Sequence, residues 1–172
     1  MLRLTLGLAL GLLALPASAQ HGGQAAAGHT SPADGLPAGV SASEANGLRA
    51  GAGMGLARAA ELNGYPGPLH VLELADALGL TDNQRAESER LRAEMLAEAV
   101  PLGEQILAAE THLDALFAGG GASPEAVDRV TTHLGVLRGR LRAAHLRAHV
   151  AMRAALTDEQ VMEYDRLRGN AP

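Results

Sequence analysis

Two nearly identical pentapeptides constrain this chain more than any other feature: Leu80-Thr81-Asp82-Asn83-Gln84 and Leu156-Thr157-Asp158-Glu159-Gln160, two copies of L-T-D-x-Q. In each, Thr is followed three residues later by Gln. The hydroxyl accepts from the backbone amide at the third helical position, and the Gln side chain returns to the amide of the Thr. Each copy is thus a capping box and starts a helix. The second adds a hydrophobic staple, with Leu156 before the cap positioned to meet Val161 at the fourth helical residue.

What lies between the two starts has helical periodicity. Leu91, Met95, Leu102, Ile106, Ala109, Leu113 and Leu116 recur at steps of three and four, and Glu98 occupies one position of the same seam. About 36 residues of helix would extend on the order of 50 Å. Pro101 falls inside the pattern and predicts a kink near residues 97–101, because its ring and missing N–H disturb the ladder. Gly119-Gly120-Gly121 ends the helix. Ser123 then caps a return helix with Pro124 at its first position, where a fixed φ is favourable. Val127, Val130, Leu134, Leu137, Leu141, Ala144 and Ala148 form the return seam, and the second pentapeptide opens a closing helix that Gly169 stops. The expected fold class is all-α: a long, kinked, antiparallel helical hairpin with short flanking helices.

On these residues the chain resembles the Spy/CpxP group of small exported stress proteins, whose signature is a pair of L-T-x-x-Q motifs, here Leu80, Thr81, Gln84 and Leu156, Thr157, Gln160. The likeness covers roughly residues 69–169. It implies a bent hairpin that dimerises into a shallow cradle, and an ATP-independent chaperone or envelope-stress adaptor that holds unfolded or envelope proteins. The related periplasmic heavy-metal resistance and sensor proteins share the architecture and imply a metal-binding alternative. In those relatives a His and a Met near the end of the return helix are ligands, together with N-terminal histidines. The H-x-x-x-M spacing of that pair is not kept here, since Met152 lies three residues beyond His149.

The start of the chain predicts export. Arg3, the apolar run 4–15, Pro16 and Ala17-Ser18-Ala19 read as a secretory signal with cleavage after Ala19. The run is shorter than the ~20 apolar residues of a membrane-spanning helix, so no span is expected in the mature form. The expected location is the periplasm. Residues 20–40, rich in Gly, Ala, Ser and Pro and carrying His21 and His29, read as a flexible tail. A single helical domain then occupies residues 41–169. It is expected to open with a helix over 41–62, capped by Ser41 with Glu44 and interrupted by Gly47, Gly51, Gly53 and Gly55. Each such glycine costs about 1 kcal/mol relative to Ala, a cost that close backbone approach to another helix would offset. The turn Asn63-Gly64-Tyr65-Pro66-Gly67-Pro68 leads to a short helix ending near Gly79.

Composition narrows the functions available. The chain has a net charge of −5 and no Lys, so it lacks the clustered basic charge that nucleic-acid binding uses. With no cysteine there is neither a disulfide nor a thiolate nucleophile. No motif of hydrolysis or phosphate transfer is present, and no enzymatic activity is expected. The one metal-ligating pattern is His145, His149 and Met152, spaced four and three apart on one helical face, with Glu98 expected opposite them across the hairpin. Such a set suits Cu, Zn or Ni, although the chain requires no cofactor on the chaperone reading. His70, His112 and His133 have no partners at ligand spacing and are expected to be solvated. A homodimer is expected, because a thin hairpin carries more apolar stripe than it covers alone.

Overall fold

The computed structural model describes residues 35–169. The signal-like segment, most of the Gly/Ala-rich tail, and His21 and His29 lie outside the described residues. Six helices follow one another with no strand among the described residues: α1 (Ala42–Arg49), α2 (Arg58–Glu61), α3 (Pro68–Glu73), α4 (Asp82–Ala118), α5 (Pro124–Ala155) and α6 (Asp158–Arg168). The long helices α4, of 37 residues, and α5, of 32, pack against each other as a hairpin, as the periodicity predicted.

The helix ends obey their local chemistry. Both capping boxes are formed: the Thr81 hydroxyl accepts from the Gln84 amide at 3.2 Å and the Thr157 hydroxyl from the Gln160 amide at 3.2 Å. In return the Gln84 side-chain oxygen accepts from the Thr81 amide at 3.1 Å, and that of Gln160 from the Thr157 amide at 3.0 Å. Ser123 caps α5 with Pro124 at the first turn, and Gly169 closes α6 in the left-handed region at φ 67°. Pro101 is accommodated within α4 on an exposed position, one turn beyond the equally exposed Ala97 whose carbonyl it leaves unbonded by the helix.

The predicted helix over 41–62 is instead two helices. The chain leaves α1 at Ala50, and Gly51 (φ 62°), Met54 (φ 43°) and Gly55 (φ 79°) all adopt left-handed backbone conformations that no helix can contain. Residues 50–69 thereby become a strap that crosses the hairpin. Close approach does occur, but at a different glycine as well. A Cβ on Gly51 would lie 3.0 Å from Leu96 and Val100 of α4, and a Cβ on Gly103, within α4, would sit 2.6 Å from the carbonyl carbon of Leu48. Gly103 is what lets α1 lie directly on the long helix. Packing also begins ahead of Ser41, since Val40 is buried in the same core as Leu48.

The hairpin carries two cores. One gathers Val40, Ala45 and Leu48 from the N-terminal side with Leu102, Ile106, Leu134, Leu137 and Leu141. The other, at the base, gathers Val71 and Leu78 with Leu91, Met152, Leu156, Val161 and Tyr164. Each fully buried aliphatic side chain contributes about 1.5–3 kcal/mol by leaving water. The predicted seams supply most of the first core, whereas the basal core takes only Leu91 from them and is otherwise built by the flanking segments and the end of α5. Near Met95, Leu96, His145 and Ala148 the glycine-rich strap lies over the hairpin.

Candidate functional site

Beneath that strap lies a cleft of about 480 Å³. One wall is the strap itself, from Ala50 to Met54 and on to Gly67 and Leu69. The other is the hairpin, with Arg92, Met95 and Leu96 from α4 and His145, Ala148 and His149 from α5. Residues 145, 148 and 149 share a face because they are three and four apart on one helix. The strap fits so closely because it is built of small residues. A Cβ on Gly67 would be 2.8 Å from Cε1 and 2.9 Å from Nε2 of His149, while one on Gly53 would touch the His145 ring at 3.7 Å.

The two histidines differ in what holds them. His149 is buried, and its Nδ1 donates to the backbone carbonyl of Tyr65 at 2.8 Å. A carbonyl only accepts, so Nδ1 carries the proton and Nε2 presents a lone pair when the ring is neutral. His145 is 5 % exposed, and its Nε2 has no hydrogen-bond partner among the described residues. Burial pushes its pKa down, and the neighbouring His149 ring lowers it further. The surroundings of His145 therefore favour its neutral form.

The other residues read from the sequence go elsewhere. Glu98 turns to Arg147, whose guanidinium donates to both carboxylate oxygens at 2.7 and 2.9 Å. Met152 is fully buried in the basal core. The structure thus unites His145 and His149 in the cleft wall, places Met152 below them in packing and engages Glu98 in an ion pair. Among the described residues no three His, Cys, Asp or Glu side chains group as a metal site would require. His70 stays partly exposed, and beyond the solvated side chain expected it has acidic neighbours: its Nδ1 meets Glu73 at 2.9 Å and its Nε2 lies 3.6 Å from Glu61. His112 and His133 are exposed.

The pentapeptides also do something that cap chemistry alone does not predict. Gln84 and Gln160 meet at the base of the hairpin, where Leu156 is buried and Leu80 is half-buried against the basal core. The spare amide hydrogens of Gln84 and Gln160 reach the carbonyls of Ala155 at 3.1 Å and Leu78 at 3.3 Å. Sequence reasoning missed this joint, and it missed Met54, Arg58 and Arg92 as cleft residues. The available signal for the joint was that both boxes end in Gln where Glu would cap as well.

Comparison with known protein families matches residues 69–168 to the model of the LTXXQ motif family of proteins. Comparisons with curated proteins and with solved structures found no match.

Proposed function

Since the chain belongs to the LTXXQ motif family, we propose that it is a periplasmic, ATP-independent chaperone or envelope-stress adaptor that holds unfolded or partner protein segments on its helical surface. One observation carries this reading. Along the strap, Met54, Leu62, Tyr65 and Leu69 stay 40–51 % exposed although the hairpin beside them has apolar surface to offer. Large apolar side chains held out on a polar, ion-paired scaffold are available to unfolded chains, and unbranched Met adapts to many of them. The flanking arginines and glutamates set encounter rates more than affinity. None of the described helices is long and apolar enough to cross a membrane, which accords with a protein that works beside one.

The test is suppression of aggregation of a chemically denatured reporter enzyme by the purified chain without ATP. Protection that grows with chaperone concentration and is lost in Met54→Glu/Leu69→Glu supports the reading. Aggregation unchanged by a molar excess of the chain removes it.

A metal-binding role is the second reading, favoured by His149, whose Nδ1 hydrogen bond to a carbonyl leaves Nε2 as the lone-pair donor in the manner of metal-ligating histidines. The fit extends to two imidazoles, since Glu98 is paired with Arg147 and Met152 packs in the core. Calorimetric titration with Cu, Zn and Ni tests it, with His145→Ala/His149→Ala abolishing any stoichiometric complex. Heat that is the same for that variant rules the pair out as ligands.

A further inference from the structure

The cleft sets two arginines at the edge of a mostly apolar lining. Arg85, Arg90, Arg138, Arg147, Arg153 and Arg166 are all paired with carboxylates. The guanidinium groups of Arg58 and Arg92, which both line the cleft, have no hydrogen-bond or ion-pair partner among the described residues; those of Arg49, Arg129, Arg140, Arg142 and Arg168 are likewise without one but lie outside the lining. The one carboxylate in the lining, Glu61, lies 3.6 Å from His70. Two guanidinium groups thus stand against a single carboxylate at an apolar cavity, in a chain whose net charge is −5. Unpaired guanidinium groups present fixed N–H donors that match a carboxylate.

The interior says what kind of molecule follows that head. Its wall is Met95, Leu96, Ala148, the rings of His145 and His149 and the Ala/Gly backbone of the strap, with no Phe, Tyr or Trp to stack on a ring. About 480 Å³ is within the size range of small-ligand sites. A peptide would bring backbone N–H and C=O groups into a lining with few partners for them, which is costly. A bare alkyl chain brings none. We infer that the cleft under the strap is a binding site for one monomeric fatty acid, with the alkyl tail along Met95, Leu96 and Ala148 and the carboxylate at Arg58 and Arg92.

The inference is independent of the chaperone reading. Client protection without fatty-acid binding overturns it alone, and fatty-acid binding without client protection leaves it standing.

Calorimetric titration of the purified chain with sodium dodecanoate, kept below its micelle concentration, should give a saturable one-to-one complex. Dodecyltrimethylammonium, with the same tail and a cationic head, should bind about tenfold or more weakly. Arg58→Glu/Arg92→Glu, which breaks no side-chain hydrogen bond or ion pair among the described residues, should reverse that preference while circular dichroism stays unchanged. In the unsubstituted protein carrying labelled methionine methyls, dodecanoate should shift Met54 and Met95 and leave the exposed Met162 in place. The inference is overturned by non-saturable binding, by equal affinity for the two heads, or by a double variant that binds dodecanoate as before. It is equally overturned by methyl shifts confined to other methionines, or by binding to phosphatidylglycerol vesicles or an extended apolar peptide with none to monomeric dodecanoate.

Discussion

Gln84 and Gln160 bond to each other through both halves of their amides: Nε2 of Gln84 donates to Oε1 of Gln160 at 2.8 Å, and Nε2 of Gln160 donates to Oε1 of Gln84 at 3.1 Å. The two residues are 76 positions apart. Each amide also caps its own helix and donates to a carbonyl of the opposite segment, so one side chain holds a helix start and the base of the hairpin at once. Glutamate would serve the cap but has no N–H to donate across.

Gln160→Glu should therefore be more damaging than a cap substitution. It keeps the acceptor for the Thr157 amide, turns a carboxylate toward the Leu78 carbonyl and leaves Gln84 short of a donor. Urea unfolding should show a loss of about 1–3 kcal/mol, the range for an unsatisfied buried polar group. Thr157→Ala should cost about 1 kcal/mol. A double-mutant cycle of Gln84→Ala and Gln160→Ala should give a coupling energy well above zero, because the two side chains share one network.

Gly103→Ala should detach or displace α1. The added methyl overlaps the Leu48 carbonyl, which is backbone and cannot swing away as a side chain would. Overpacking of this kind costs about 1–3 kcal/mol. Hydrogen exchange should localise the loss to residues 42–49. Gly135→Ala and Gly139→Ala meet nothing within 4 Å on α5 and should raise stability by about 1 kcal/mol each.

Stability should fall as the solution is acidified below about pH 6.5, the ordinary histidine value from which burial and His149 depress His145. The unfolded chain takes up the proton first, so the contribution of this group is complete above that pH. It is lost as the pH falls through the lower folded value. Urea midpoints followed from neutral to mildly acid solution should show the decline, and His145→Leu should flatten it. Glu87 and Glu163 do not account for that window: hydrogen bonds from Arg90 and Arg166 hold their pKa values below the ordinary 4.5.

Glu98→Gln should change stability by no more than about 1 kcal/mol, because its pair with Arg147 is solvent-exposed on both sides. The same substitution should leave any metal affinity of the His145/His149 pair unaltered, as read by calorimetry. A large loss in either measurement would show that Glu98 leaves Arg147 to join the histidines.

Much of this molecule could be read without coordinates. The starts at Thr81, Ser123 and Thr157, the stop at Gly169 and the seams through Leu102, Ile106, Leu134 and Leu141 depend on hydrogen bonds and spacings within about four residues, so local sequence determines them. The division of 41–62 was less legible. Its glycines permit both a costly helix and a left-handed strap, and contacts with Leu96, Val100 and the two histidines decide for the strap. The Gln84–Gln160 joint, the turn of Glu98 to Arg147 and the placing of Arg58 opposite His145 and His149 required the hairpin's register. Those pairings join residues scores of positions apart. Their energies arise only when two long helices are packed at one offset, which is a property of the folded chain and of no single stretch of it.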